Sequence, residues 1–202
     1  MPEDIRNAVI ENQTIELAAD DSGVGLVGCT FRNCVIVGRV SSSNLAVVNT
    51  RFENCEIRWK VPLKHENWRR STVFDRCTFH GQFIGNMFGH RKGRDDAGDI
   101  MNCDFRNVSN LNGTSFENCD MAGIQLPMWP HFTFMEIHKH KEALLRLAPS
   151  FPLRFGTTLE VVADSPPDVC AVVWSAKNEM KRTGLSEAEV LAYVKQIPGV
   201  VF

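Results

Sequence analysis

The chain has 202 residues, 44% hydrophobic and 23% charged, with a net charge of −2. That length supports one sizeable core, or a core with an appendage. Near-neutrality excludes a whole-molecule field that gathers nucleic acid or anionic membrane, and equally an acidic rod that mimics DNA.

Met1-Pro2-Glu3-Asp4 carries no basic stretch leading into an apolar run, and no segment reaches roughly 18 uncharged apolar residues. The expected location is the cytoplasm, with no membrane partner. Seven cysteines without a CxxC pair predict neither a disulfide framework nor a zinc site. No cofactor and no metal are implied.

Residues 5–27 place apolar side chains at Ile5, Val9, Ile15, Leu17, Val24 and Leu26. They read as an irregular first coil that caps a solenoid, because terminal repeats are atypical. The repeat itself follows. Phe31, Phe52, Phe79, Phe105 and Phe116 align with Cys29, Thr50, Cys77, Cys103 and Thr114 two positions earlier. Two positions later stand Asn33, Asn54, Gly81, Asn107 and Asn118. A large residue and a small one at i and i−2 share one face of a strand. Asn and Gly tolerate φ > 0 and mark corners between strands. The period-two pattern excludes a helix.

The spacings predict coils. Phe31 to Phe52 spans 21 residues, Phe52 to Phe79 spans 27, Phe79 to Phe105 spans 26, and Phe105 to Phe116 spans 11. The last interval puts two copies on different faces of one coil. The longer intervals place two insertions, Trp59 to Ser71 and Gly89 to Asp99, at one point of successive coils.

Cys29-Thr30-Phe31-Arg32-Asn33-Cys34-Val35-Ile36 resembles two units of the pentapeptide-repeat family: a small residue, any residue, a central Leu or Phe, then two polar residues. Thr50 to Ile57, Cys77 to Ile84 and Thr114 to Met121 extend the resemblance over roughly residues 27–126. It implies a right-handed four-sided parallel β-helix with about twenty residues per coil. It also implies an interaction module, in bacteria sometimes one that protects a target or neutralises a toxin.

Pro127 and Pro130 end strand pairing, and Trp129 is expected over the last coil. A strand is expected over Phe132 to Ile137, a helix over Lys139 to Leu147, and a strand over Thr157 to Val162. Ser165-Pro166-Pro167-Asp168 reads as the start of a helix that runs to about Arg182 and stops at Gly184. Ser186 to Glu189 is a capping box opening a last helix to about Gln196. The expected fold class is mainly β: residues 1–126 form the parallel β-helix, and residues 127–202 form a mixed strand and helix segment packed on its end.

The cysteines read as a core ladder, since Thr and Val share their columns. His131, His138 and His140 lack a completing carboxylate for a metal. His80 occupies the outward column of the repeat, so it reads as a surface residue. Asp75, Asp104 and Asp120 are the carboxylates available to a sugar-cleaving site. The two insertions carry the functional expectation. Stacked on one face, they bring Lys60, Lys64, His65, Trp68, Arg69 and Arg70 beside His90, Arg91, Lys92 and Arg94. Trp and Arg are the residues most enriched at interface hot spots. The expected function is a non-enzymatic protein-interaction module of the immunity, inhibitor or target-protecting kind. Its expected partner is another protein rather than nucleic acid, and the oligomeric state is left open. The alternative is a β-helix enzyme acting on a carbohydrate or an acyl donor.

Overall fold

The computed structural model describes residues 4–18, 23–90, 92–93 and 98–202. Short strands pair in parallel and wind as a four-sided β-solenoid of about four turns. The first side pairs Ile5–Arg6, Val24–Val27 and Leu45–Val48. The second side runs Val9–Glu11, Thr30–Arg32, Thr50–Glu53, Thr72–Asp75 and Asp99–Met101. The third runs Thr14–Leu17, Val35–Gly38, Glu56–Trp59 and Thr78–Ile84. The far end of Thr78–Ile84 turns onto the fourth side, between Leu63–Lys64 and Val108–Asn110. In the later coils Asn67, Met87–Gly89 and Thr114–Glu117 take the place before the second side.

Register corrects the alignment of the phenylalanines. On the second side Ile10, Phe31, Phe52, Phe74 and Ile100 lie over one another. On the third, the column is Ile15, Ile36, Ile57 and Phe79. Phe79 therefore stands beside the Phe31–Phe52 column and not within it, and Phe74 takes the place expected for it. Phe105 stacks on Phe79 with ring centroids 4.2 Å apart, while Phe116 stacks on Phe88 at 5.6 Å. All of these rings are buried.

The cause of the shift is one corner. Asn12, Asn33, Asn54 and Asn102 turn the chain from the second side to the third with φ between 52° and 55°. The fourth coil puts Arg76 there, at φ 52°. An arginine carries none of the sequence signal of an Asn or Gly corner. Asn118, also at positive φ, follows the first side and turns a different edge. Asn107 has no positive φ. Of the expected corner asparagines, Asn33 and Asn54 therefore share one edge, and Asn107 and Asn118 do not join them.

Cys and Thr interchange for a physical reason. Each small inward side chain donates to a carbonyl of the preceding coil: Cys34 to Ile10, Cys55 to Phe31 and Cys77 to Phe52, each at 3.4 Å. Thr50 reaches Leu26 O at 3.1 Å, and Thr114 reaches Phe83 O at 2.8 Å. The slot requires a small group that is also a donor. Hydrogen bonding to Cys103 and burial push the Cys77 thiol up to about 12. Contact with Cys77 and burial also raise Cys55. These thiols are core groups without nucleophilic character at neutral pH.

The C-terminal segment completes a sheet in the order Met87–Gly89, Thr114–Glu117, Val169–Ser175, His131–Met135, Val200–Val201. Val169–Ser175 lies antiparallel on the last solenoid strand and covers its edge. Strand alternation sends Ala171 and Val173 into the solenoid core, and Val172 toward a second core with Phe132, Phe134 and Phe155. Four helices close that second core: α1 (Ile137–Leu147), α2 (Leu153–Ala163), α3 (Ala176–Thr183) and α4 (Glu187–Val194).

Three expectations are corrected here. Thr157–Val162 belongs to α2, where Phe155, Thr158, Leu159, Val162 and Ala163 form a buried helical stripe. That spacing overrides the strand preference of Thr and Val. The expected long helix from residue 165 begins only at Ala176, because the apolar run Val169–Ser175 is taken by the solenoid's free edge. Trp129 turns away from the last coil. Its Nε1 donates to Glu187 Oε1 at 2.7 Å, and its ring meets Phe202.

Candidate functional site: the loop corner and its surroundings

Trp59 to Ser71 is not an insertion. Phe52 to Phe74 spans 22 residues, one more than the coil before it. Phe74 to Ile100 spans 26, so the one enlarged coil carries its excess between Gly89 and Asp99.

Both ends of that loop are pinned. His90 N donates to Glu117 O at 2.9 Å, and Asn118 Nδ2 donates to His90 O at 2.9 Å. At the other end Gly98 N donates to Arg69 O at 2.7 Å. A Cβ on Gly98 would stand 2.6 Å from Thr72 O, so only glycine fits this closure. The two anchoring residues are themselves joined: the Arg69 guanidinium pairs with Glu117, whose side chain is 5% exposed. Arg69 Nε also donates to Asn67 Oδ1 at 3.0 Å. A charge pair this enclosed holds the corner rigid, since losing one partner strands the other.

The expected basic and aromatic surface divides. Trp68 is only 4% exposed, and its Nε1 donates to Asn86 Oδ1 at 3.0 Å. It is a core residue, which corrects its expected place on the surface. Arg69 is likewise committed within the molecule. Lys60, Lys64 and His65 are exposed, but they lie on the fourth side and its bounding corners. Lys64 is held there by its backbone, with Ser42 Oγ bonded to both its N–H and its C=O. Arg70 and Lys92 are exposed, and His90 is half-buried at the loop's first anchor. Arg91 and Arg94 lie outside the described residues, as do Asp95 and Asp96.

Of the side chains weighed for catalysis, His80 and Asp104 share the third side, whereas Asp75 and Asp120 lie elsewhere. His80 Nε2 meets Glu56 Oε1 at 2.8 Å on the outer third side. Asp75 pairs with Arg76 at 2.8 Å on the second side. Asp104 pairs with Arg106 at 2.7 Å on the third, and this hydrogen bond holds its carboxyl below the usual range. Asp120 accepts from Ala122 N at 2.9 Å beyond the last strand of the solenoid. Arg32 bridges Glu11 and Glu53 at 3.1 and 2.8 Å, so the second side neutralises its own charge.

His131 is buried, and its Nε2 accepts from Leu111 N at 3.2 Å. Burial, then the nearby Lys177 ammonium, depress its pKa, so the ring is a neutral acceptor. Among the described residues no group of three or more His, Cys, Asp and Glu is placed to hold a metal, and no helix is long and apolar enough to cross a membrane.

One groove was hidden from sequence reasoning. It has about 540 Å³ and runs between the strand Val108–Asn110 and α3, lined in part by Ser175, Lys177, Asn178 and Lys181. Reading residues 169–175 as helix scatters these side chains, whereas the strand-to-helix junction at Ser175 gathers them. No known protein family, curated protein or solved structure matches the chain.

Proposed function

We propose that this chain is a non-catalytic cytosolic scaffold that binds another protein, a degenerate relative of pentapeptide-repeat proteins of the target-protecting or toxin-neutralising kind. The contact surface is the corner that carries Arg70, His90 and Lys92. The observation behind this reading is the single enlarged coil. Its loop leaves an otherwise regular solenoid and is held at both ends by His90, Gly98 and the buried Arg69–Glu117 pair. Functional residues concentrate on loops carried by rigid scaffolds. The charge ladders of the second side make a poorer recognition surface, because their charges are already satisfied internally.

The test is capture from a lysate of the source cell with mass spectrometric identification. Wild type is compared with the triple variant Arg70→Ala, His90→Ala, Lys92→Ala. A partner retained by wild type and by Lys60→Ala/Lys64→Ala, but lost by the triple variant at unchanged Tm, supports the reading. Identical capture by the triple variant contradicts it.

A further inference from the structure

The groove between Val108–Asn110 and α3 collects hydrogen-bond donors that have nothing to bind. Lys177 and Lys181 are exposed, one helical turn apart on α3, and both line it. Like charges at this spacing repel. Neither lysine is ion-paired among the described residues, and no carboxylate lines the groove. Asn178 makes no side-chain hydrogen bond among the described residues, while Asn110 uses only its Oδ1, as acceptor from Asn112 N.

The second observation is Ser175. It is the N-cap of α3, lines the groove and is 3% exposed. An N-cap serine ordinarily bonds to the first free backbone N–H groups of its helix. The side chain of Ser175 makes no such bond, and among the described residues it makes no other. Ala176 N donates to Pro130 O at 2.8 Å, and the N–H groups of Lys177 and Asn178 follow beside an uncommitted hydroxyl, where the helix dipole favours negative charge. Glu179, the acidic residue of that turn, is wholly buried on another face and is bonded to Thr158 and Arg182.

We infer that this groove binds a phosphoryl group, with Lys177 and Lys181 supplying charge and Ser175, Asn178 and Asn110 supplying donors. Lysine and helix N-termini are established partners of phosphate in proteins. The site shares no residue with the loop corner described above, so it stands independently of it.

The test is a 1H–15N titration of the full chain with inorganic phosphate and, separately, with N-acetyl-phosphoserine amide, at constant ionic strength. Saturable shifts confined to the amides of Ser175, Lys177, Asn178, Lys181 and Asn110 are expected. Lys177→Met/Lys181→Met, both surface changes, should weaken binding by about tenfold or more with the spectrum otherwise preserved. Ser175→Ala should weaken it by a smaller factor. Tighter binding of the phosphoserine probe assigns the group to a phosphorylated partner, and equal binding assigns it to free phosphate. Shifts that do not saturate, or that survive in the double-lysine variant, overturn the inference.

Discussion

The ring of Phe74 lies 5.1 Å from that of Phe52 and within 10° of parallel, which makes it the next member of the column that begins at Phe31. Phe52→Ala should therefore cost about 3–5 kcal/mol, from lost burial plus a cavity that stacked coils cannot close. Urea unfolding checks the value. A double-mutant cycle between Phe52 and Phe74 should show coupling above about 0.5 kcal/mol. The same cycle between Phe52 and Phe79 should show less. The reverse order would restore the alignment that places Phe79 in the column.

The corner from the second side to the third yields a pair of opposite effects. Asn54 sits at φ 52° and donates through Nδ2 to Asn33 Oδ1 at 2.7 Å. Asn54→Val should cost about 1–2 kcal/mol, because a β-branched residue is strained in the left-handed region. Arg76, at the same φ, should gain about 0.5 kcal/mol on replacement by Asn. Thermal melts of the two variants should move in opposite directions. A destabilised Arg76→Asn would show that its pair with Asp75 outweighs the backbone strain.

Trp68 should behave as a core residue. Trp68→Ala should lose about 3–5 kcal/mol. Trp68→Phe should lose about 1–3 kcal/mol, mainly by leaving Asn86 Oδ1 without its indole donor in a buried site. A Trp68→Ala variant that melts like wild type would return this residue to the surface.

Glu179 gives a pH dependence of definite sign. Burial raises its pKa, against the opposing pull of Arg182 and Thr158. The folded state then holds its proton more tightly than the unfolded chain does. The stability associated with this group is complete below the unfolded value, about 4.3, and is lost as pH rises through the folded value. Glu179→Gln should therefore be the more stable protein at neutral pH, and its advantage should vanish in acid. Unfolding curves of the two proteins across that range check this. A variant less stable at neutral pH would mean that the Arg182 contact dominates.

How much of this was legible depends on whether the signal was local. The cap at Ser186 and the stop at Gly184 are set by a few adjacent residues, and both stand where the sequence puts them. The solenoid was legible from large and small residues alternating before an Asn, a pattern repeated often enough to outweigh its defects. It slipped where Arg76 replaced the Asn, and the false insertion at residues 59–71 followed from that slip. Val169–Ser175 became a strand because Thr114–Glu117 had an edge to cover, a partner 50 or more residues away. The fate of Trp68 rested likewise on Asn86, on the following coil. The groove at Ser175 required both the strand-to-helix junction and the neighbouring Val108–Asn110.

The pinned loop corner is proposed to meet a partner protein. Site-specific photocrosslinking in the source cell tests it most directly, with benzoylphenylalanine placed at Lys92 and, separately, at Lys60 on the opposite stretch of surface. One discrete crosslinked protein is expected from position 92, absent from position 60 and lost when Arg70 is replaced by Glu. Crosslinks to that protein from position 60 but not from position 92 would contradict it.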